Sequence, residues 1–102
     1  MDRLIDGQTI TVDAEGYLTD FAQWSRTVGE TLAGEAGLAL TPRHWEVLTY
    51  LQSEFQKEVP LSIRRIGKSG VTDIKEFYQL FPTAPLKTAA RIAGIPKPVS
   101  CL

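Results

Sequence analysis

Cysteine is almost missing from this chain: Cys101 is the only one in 102 residues. A single thiol excludes an internal disulfide, and no Cys-x-x-Cys pair exists to hold zinc or run dithiol redox chemistry. Histidine is equally scarce, with His44 alone, which removes most routes to a protein-ligated metal. No apolar run approaches the length of a membrane span. The N-terminus, MDRLIDGQTI, carries acids where a signal peptide needs an apolar stretch, so the chain reads as cytosolic. Acids run out altogether after Glu76.

That last shortage hides inside a net charge of −1. Residues 1–59 hold 10 acids against 4 bases, whereas residues 60–102 hold 7 bases against only Asp73 and Glu76. The second half therefore presents positive potential, suited to acidic partners, anionic sulfur species or nucleic acid. The preference of helix C-termini for cations gives the same pattern without any ligand.

Apolar residues make up 43% and charged residues 23%, which is ordinary for a soluble globular protein and excludes wholesale disorder. At this length the chain forms one domain with a modest core, too small for a deep enclosed active site. Leu4-Ile5, Asp6-Gly7 and the run 9–12 read as a β-hairpin, because Asp-Gly supplies the positive-φ pair of a type I′ turn. A second turn follows at 13–16. Helix one is expected to start near Asp20, with Gln23 as its capping-box partner and Phe21, Trp24, Val28 and Leu32 on one face. Gly37 suits its end. Helix two has the clearest boundary, with Thr41 as N-cap and Pro42 in the first turn. His44, Val47, Leu48, Leu51 and Phe55 form its apolar stripe, and Pro60 closes the segment. Short helices are expected at about 61–68 and 72–80, and a last one over 85–93 that stops at Gly94. The fold class is mainly α: a compact bundle of about five helices with an N-terminal β-hairpin. Residues 1–94 form the domain; residues 95–102, with Pro96 and Pro98, form a mobile C-terminal arm.

A lone cysteine is usually a small buried hydrophobe, which fits Cys101 poorly because it follows two prolines near the chain end. Six extended steps from Ile95 could carry its sulfur roughly 20 Å, into another protein's active site. The prolines stiffen the arm and lower the entropy lost on docking. An ordinary thiol of pKa near 8.5 is only about 3% thiolate at neutral pH, so activation has to come from a partner. The pattern suggests a carrier rather than a stand-alone catalyst. His44 could be imagined as its general base; its place on an apolar stripe reads instead as a hydrogen-bonded core histidine. Trp24 and Trp45 read as core anchors. Lys87, Arg91 and Lys97 are candidate contacts for an anionic sulfur or an acidic partner, against the plainer reading of a solvated helix face.

Leu80-Phe81-Pro82, the run 87–94 (KTAARIAG) and the ending IPKPVSCL resemble the C-terminus of the DsrC/TusE sulfur-relay family in order and spacing. Asp6-Gly7, Glu15-Gly16-Tyr17-Leu18, Trp24 and His44-Trp45 match the family pattern upstream, so the resemblance spans nearly the whole chain. It implies a helical domain with a hairpin and a protruding arm, and a persulfide carried on Cys101 with no other cofactor. Members serving dissimilatory sulfite reductase have a second cysteine where this chain has Ala90, so their intramolecular disulfide or trisulfide chemistry is unavailable here. The segment between Pro60 and Phe77 also looks shorter than in many members. Both departures point to a TusE-like, single-cysteine sulfurtransferase-type carrier. It would take sulfur from an upstream relay protein and pass it to an acceptor such as a tRNA 2-thiouridylase. A DsrC-related role in sulfur oxidation or its regulation is the nearest alternative.

The stretch 61–80 reads independently as a helix-turn-helix, with Arg64, Arg65, Lys68 and Lys75 around it. A DNA-binding regulator is the alternative from another class. It leaves the arm unexplained.

Overall fold

The computed structural model describes residues 1–98; Val99, Ser100, Cys101 and Leu102 lie outside the described residues, and with them half of the expected arm. Strands β1 (Asp2–Ile5) and β2 (Gln8–Thr11) pair antiparallel, with Ile5 opposite Gln8. Asp6 (φ 50) and Gly7 (φ 79) both sit at positive φ, as the type I′ turn demands. Ile5, Ile10 and Val12 face the core, and a single bridge joins Val12 to Leu18 beyond the second turn. Asp13 builds that turn: its Oδ1 accepts from the backbone N–H of Glu15 (2.9 Å) and Tyr17 (3.0 Å).

Helix one starts later than the sequence suggests. Asp20 caps only the 3-10 turn Phe21–Gln23, after which Trp24 turns extended. Ser25 then caps α1 (Arg26–Glu35), accepting from the Val28 N–H at 3.3 Å. The expected capping box fails because Gln23 is needed elsewhere: its Oε1 accepts from the Thr11 N–H at 2.7 Å, docking the hairpin. Gly37 (φ 77) ends α1 as expected, with Leu38 N–H closing back on the Ala33 carbonyl.

Helix α2 (Pro42–Gln56) starts where Thr41-Pro42 place it, and the capping box is completed by His44 rather than by an acid or amide. It stops before Pro60. Glu58 adopts φ 59, and Val59 N–H bonds the Glu54 carbonyl at 3.0 Å, a terminating turn that usually recruits glycine. Helices α3 (Ile63–Gly67) and α4 (Ile74–Leu80) are shorter than their expected spans by three and two residues, because Ser62 and Asp73 cap them from within those spans. Helix α5 (Pro85–Ala93) matches its expectation.

Among the described residues, five α-helices and one hairpin make the mainly α fold. Helix α5 lies at its centre, packed against α1, α2 and α4. Ala89, Ala90 and Ala93 are fully buried, and their small side chains let the neighbouring helices approach closely. No described helix is long and apolar enough to cross a membrane.

Candidate functional site

The approach to Cys101 is the C-terminal end of α5, where a helix leaves carbonyls without intrahelical partners. Here each of the last four has a named donor. The Ala90 carbonyl accepts from Ile95 N–H (3.1 Å) and that of Arg91 from Gly94 N–H (3.2 Å). The Ile92 carbonyl accepts from Trp24 Nε1 (2.8 Å), and that of Ala93 from Gln52 Nε2 (2.8 Å). The first pair is the usual glycine-terminated cap, with Gly94 at φ 76. The second pair comes from distant sequence and ties the helix end to the start of α1 and the middle of α2.

Trp24 does more than donate. Its ring lies so close to Gly94 that a Cβ there would stand 2.7 Å from the indole Cγ. The same ring stacks on Phe21 at 6.2 Å and meets Trp45 edge-on at 6.4 Å, and the Arg26 guanidinium covers Trp45 at 4.1 Å. Both tryptophans thus anchor the domain around the arm's root, and both are half-buried.

Ile95, which the sequence reading assigns to the arm, packs into the core at 1% exposure. Pro96 and Lys97 are exposed, but Lys97 is engaged: its Nζ lies 2.9 Å from Glu15 Oε2. Arg91 converges on the same turn. Its Cζ sits 5.1 Å from the centroid of the Tyr17 ring, and its side chain runs along Gly16. Burial pushes the Tyr17 phenol above its ordinary pKa, and the adjacent Arg91 charge offsets part of that rise. Neither Tyr17 Oη nor Arg91 Nε completes a hydrogen bond of normal geometry with a described residue.

The three candidate cations therefore divide. Arg91 and Lys97 meet at the Asp13–Gly16 turn beside the root. Lys87, one turn back on α5, stands apart near Ile63 and Tyr78. Sequence reasoning missed this role of the Glu15-Gly16-Tyr17 turn; a buried tyrosine next to a glycine turn was the available signal.

His44 is part of the core, 7% exposed. The Leu80 carbonyl, 2.8 Å from Nε2, can only accept, so Nε2 carries the proton. Nδ1 is then the acceptor for Thr41 N–H at 3.0 Å. The Nε2 bond holds α2 against the end of α4, and the Nδ1 bond closes the cap of α2. Among the described residues no cluster of three or more His, Asp or Glu side chains gathers to hold a metal.

The chain is 39% identical to the sulfurtransferase TusE of Pectobacterium atrosepticum, over 95% of this chain and 96% of that one. Its fold superposes on the DsrC of Allochromatium vinosum, solved by NMR, with a TM-score of 0.84 and 32% identity over all of both chains. The oxidised γ-subunit of dissimilatory sulfite reductase (DsrC) from Archaeoglobus fulgidus gives 0.82 and 31%, again over both full lengths. Residues 4–102 match the model of the family described as DsrC like protein, and the chain belongs to that family.

Proposed function

We propose that this chain is a persulfide carrier of a cytoplasmic sulfur relay, with Cys101 as the residue that holds the sulfur. The Cys101 thiolate attacks the outer sulfur of a donor persulfide; a new S–S bond forms on Cys101 and the donor leaves as a thiolate. An acceptor thiolate then attacks the outer sulfur of the Cys101 persulfide and releases the Cys101 thiolate. No oxidant is consumed, and no cofactor beyond the covalent persulfide takes part. The donor is an upstream relay protein, and the acceptor a downstream enzyme such as one that forms 2-thiouridine in tRNA.

The observation that carries this reading is the placing of the only cysteine eight residues beyond a helix end whose last four carbonyls are all bonded. A firmly held base lets a short segment present sulfur to a partner without loosening the domain. Likeness to a sulfurtransferase TusE supports the transfer chemistry. Ala90, fully buried where two-cysteine relatives have their other thiol, supports a single-thiol mechanism.

Incubation with glutathione persulfide followed by intact-protein mass spectrometry tests it. The chain should gain one sulfur, about 32 Da, that reductant removes. Cys101→Ser should keep the fold and gain nothing; equal loading of the Ser variant would refute the assignment.

A further inference from the structure

Ile74 and Tyr78 stand one turn apart on α4 and are 45% and 44% exposed; apart from Met1 and Leu4 they are the exposed large apolar side chains of the described residues. They border a cleft of about 460 Å³ lined by Ile63, Arg64, Gly67, Lys68, Ile74 and Tyr78. Through Ile63 and Tyr78 it continues into a second cleft of about 200 Å³ against Ala84, Pro85, Leu86 and Lys87. The floor of this groove is apolar and its charged lining is cationic: Arg64, Lys68 and Lys87, with no carboxylate among the lining residues. Its shape is set by a close approach, since a Cβ at Gly67 would lie 2.5 Å from Ile74 Cγ1.

We infer that this groove docks an acidic amphipathic helix of a partner protein. Apolar anchors would cover Ile74 and Tyr78, and flanking carboxylates would meet Arg64, Lys68 and Lys87. A nucleic-acid backbone satisfies the cations but leaves the two apolar side chains in water. The five-residue α3 also gives little support to a groove-reading helix pair. The inference rests on the carrier reading for its purpose. The groove flanks the N-terminal end of α5 and the arm leaves the C-terminal end, nine residues or about 13 Å along the helix. One partner could be held at the first while sulfur is exchanged at the second.

Titration of the full ¹⁵N-labelled chain by NMR tests the inference, using a synthetic peptide of about four helical turns with leucines at i, i+3, i+4 and i+7 and glutamates elsewhere. Saturable shifts should centre on Gly67, Ile74, Tyr78 and Lys87. Tyr78→Asp and Lys68→Glu, each checked for a native-like spectrum, should weaken binding about tenfold or more. A scrambled peptide, or one with lysines for glutamates, should not compete. Preferential binding of a short DNA duplex, self-association of the chain through these residues, shifts elsewhere, or no binding would each overturn it. Loading of wild-type Cys101 by glutathione persulfide needs no protein partner, so a failure of the carrier reading appears in that assay and a failure of docking in the titration.

Discussion

The indole N–H of Trp24 donates across 2.8 Å to the carbonyl of Ile92, and the same ring occupies the space that a side chain at Gly94 would need. The two contacts make the end of α5 and the start of α1 one unit, although 68 residues separate donor from acceptor.

Gly94→Ala is the direct test of that unit. Alanine at φ 76 adds the left-handed penalty, and its methyl group must displace the indole. Together these should cost about 2–4 kcal/mol in denaturant unfolding. A loss of only a few tenths would show that Trp24 moves aside freely.

His44→Ala separates a structural from a catalytic histidine. It strands the Leu80 carbonyl and the Thr41 N–H and removes an edge-on contact with Phe81. Stability should fall by about 2–3 kcal/mol. The remaining folded protein should take up sulfur on Cys101 at the wild-type rate from glutathione persulfide. A folded variant that loads slowly would make His44 a participant in the chemistry.

Acid should weaken the lock between α2 and α4. Glu76 accepts from the Arg43 guanidinium and from Thr72 Oγ1, and these partners hold its pKa down to about 2 from an ordinary 4.5. The unfolded chain takes up this proton first, so the stabilisation is complete above pH 4.5 and fades as pH falls toward about 2. Glu76→Gln should therefore melt below wild type at neutral pH, and the gap should close across that window. A gap that persists at the acid end would assign the lock to something other than the carboxylate.

The candidate cations should matter for traffic with a charged protein partner more than for folding. Lys97 and Glu15 are 43% and 56% exposed, and such an ion pair contributes about 0–1 kcal/mol. Lys87→Gln combined with Lys97→Gln should leave the melting temperature nearly unchanged. It should slow sulfur acceptance from a persulfidated protein donor several-fold at low salt, with the difference shrinking as salt rises. Equal rates at every ionic strength would remove both lysines from the partner contacts.

What was legible in the sequence was what short-range chemistry dictates. Asp6-Gly7 fixed the hairpin turn, Thr41-Pro42 the start of α2, and Pro85 and Gly94 the two ends of α5, each within a residue or two of its cause. The start of helix one was misread because Phe21, Trp24, Val28 and Leu32 keep helical spacing across a real break. That break is enforced from outside, by Thr11 on Gln23 and by Ile92 on Trp24, and its local sign was Ser25, the N-cap that the apolar spacing overrode. At the candidate site the resemblance to the family was legible, whereas the meeting of Arg91, Lys97 and the Glu15–Tyr17 turn was not. Ile95 was assigned to the arm because Pro96 signals extended chain. The apolar contact that commonly follows a glycine cap would have placed it in the core.

That burial fixes the point from which any reach of Cys101 is counted: it lies six residues beyond Ile95, so an extended chain spans at most roughly 20 Å. Extension past that limit would require Ile95 to leave the core, whereas the exposed Lys97–Glu15 pair adds little to the constraint.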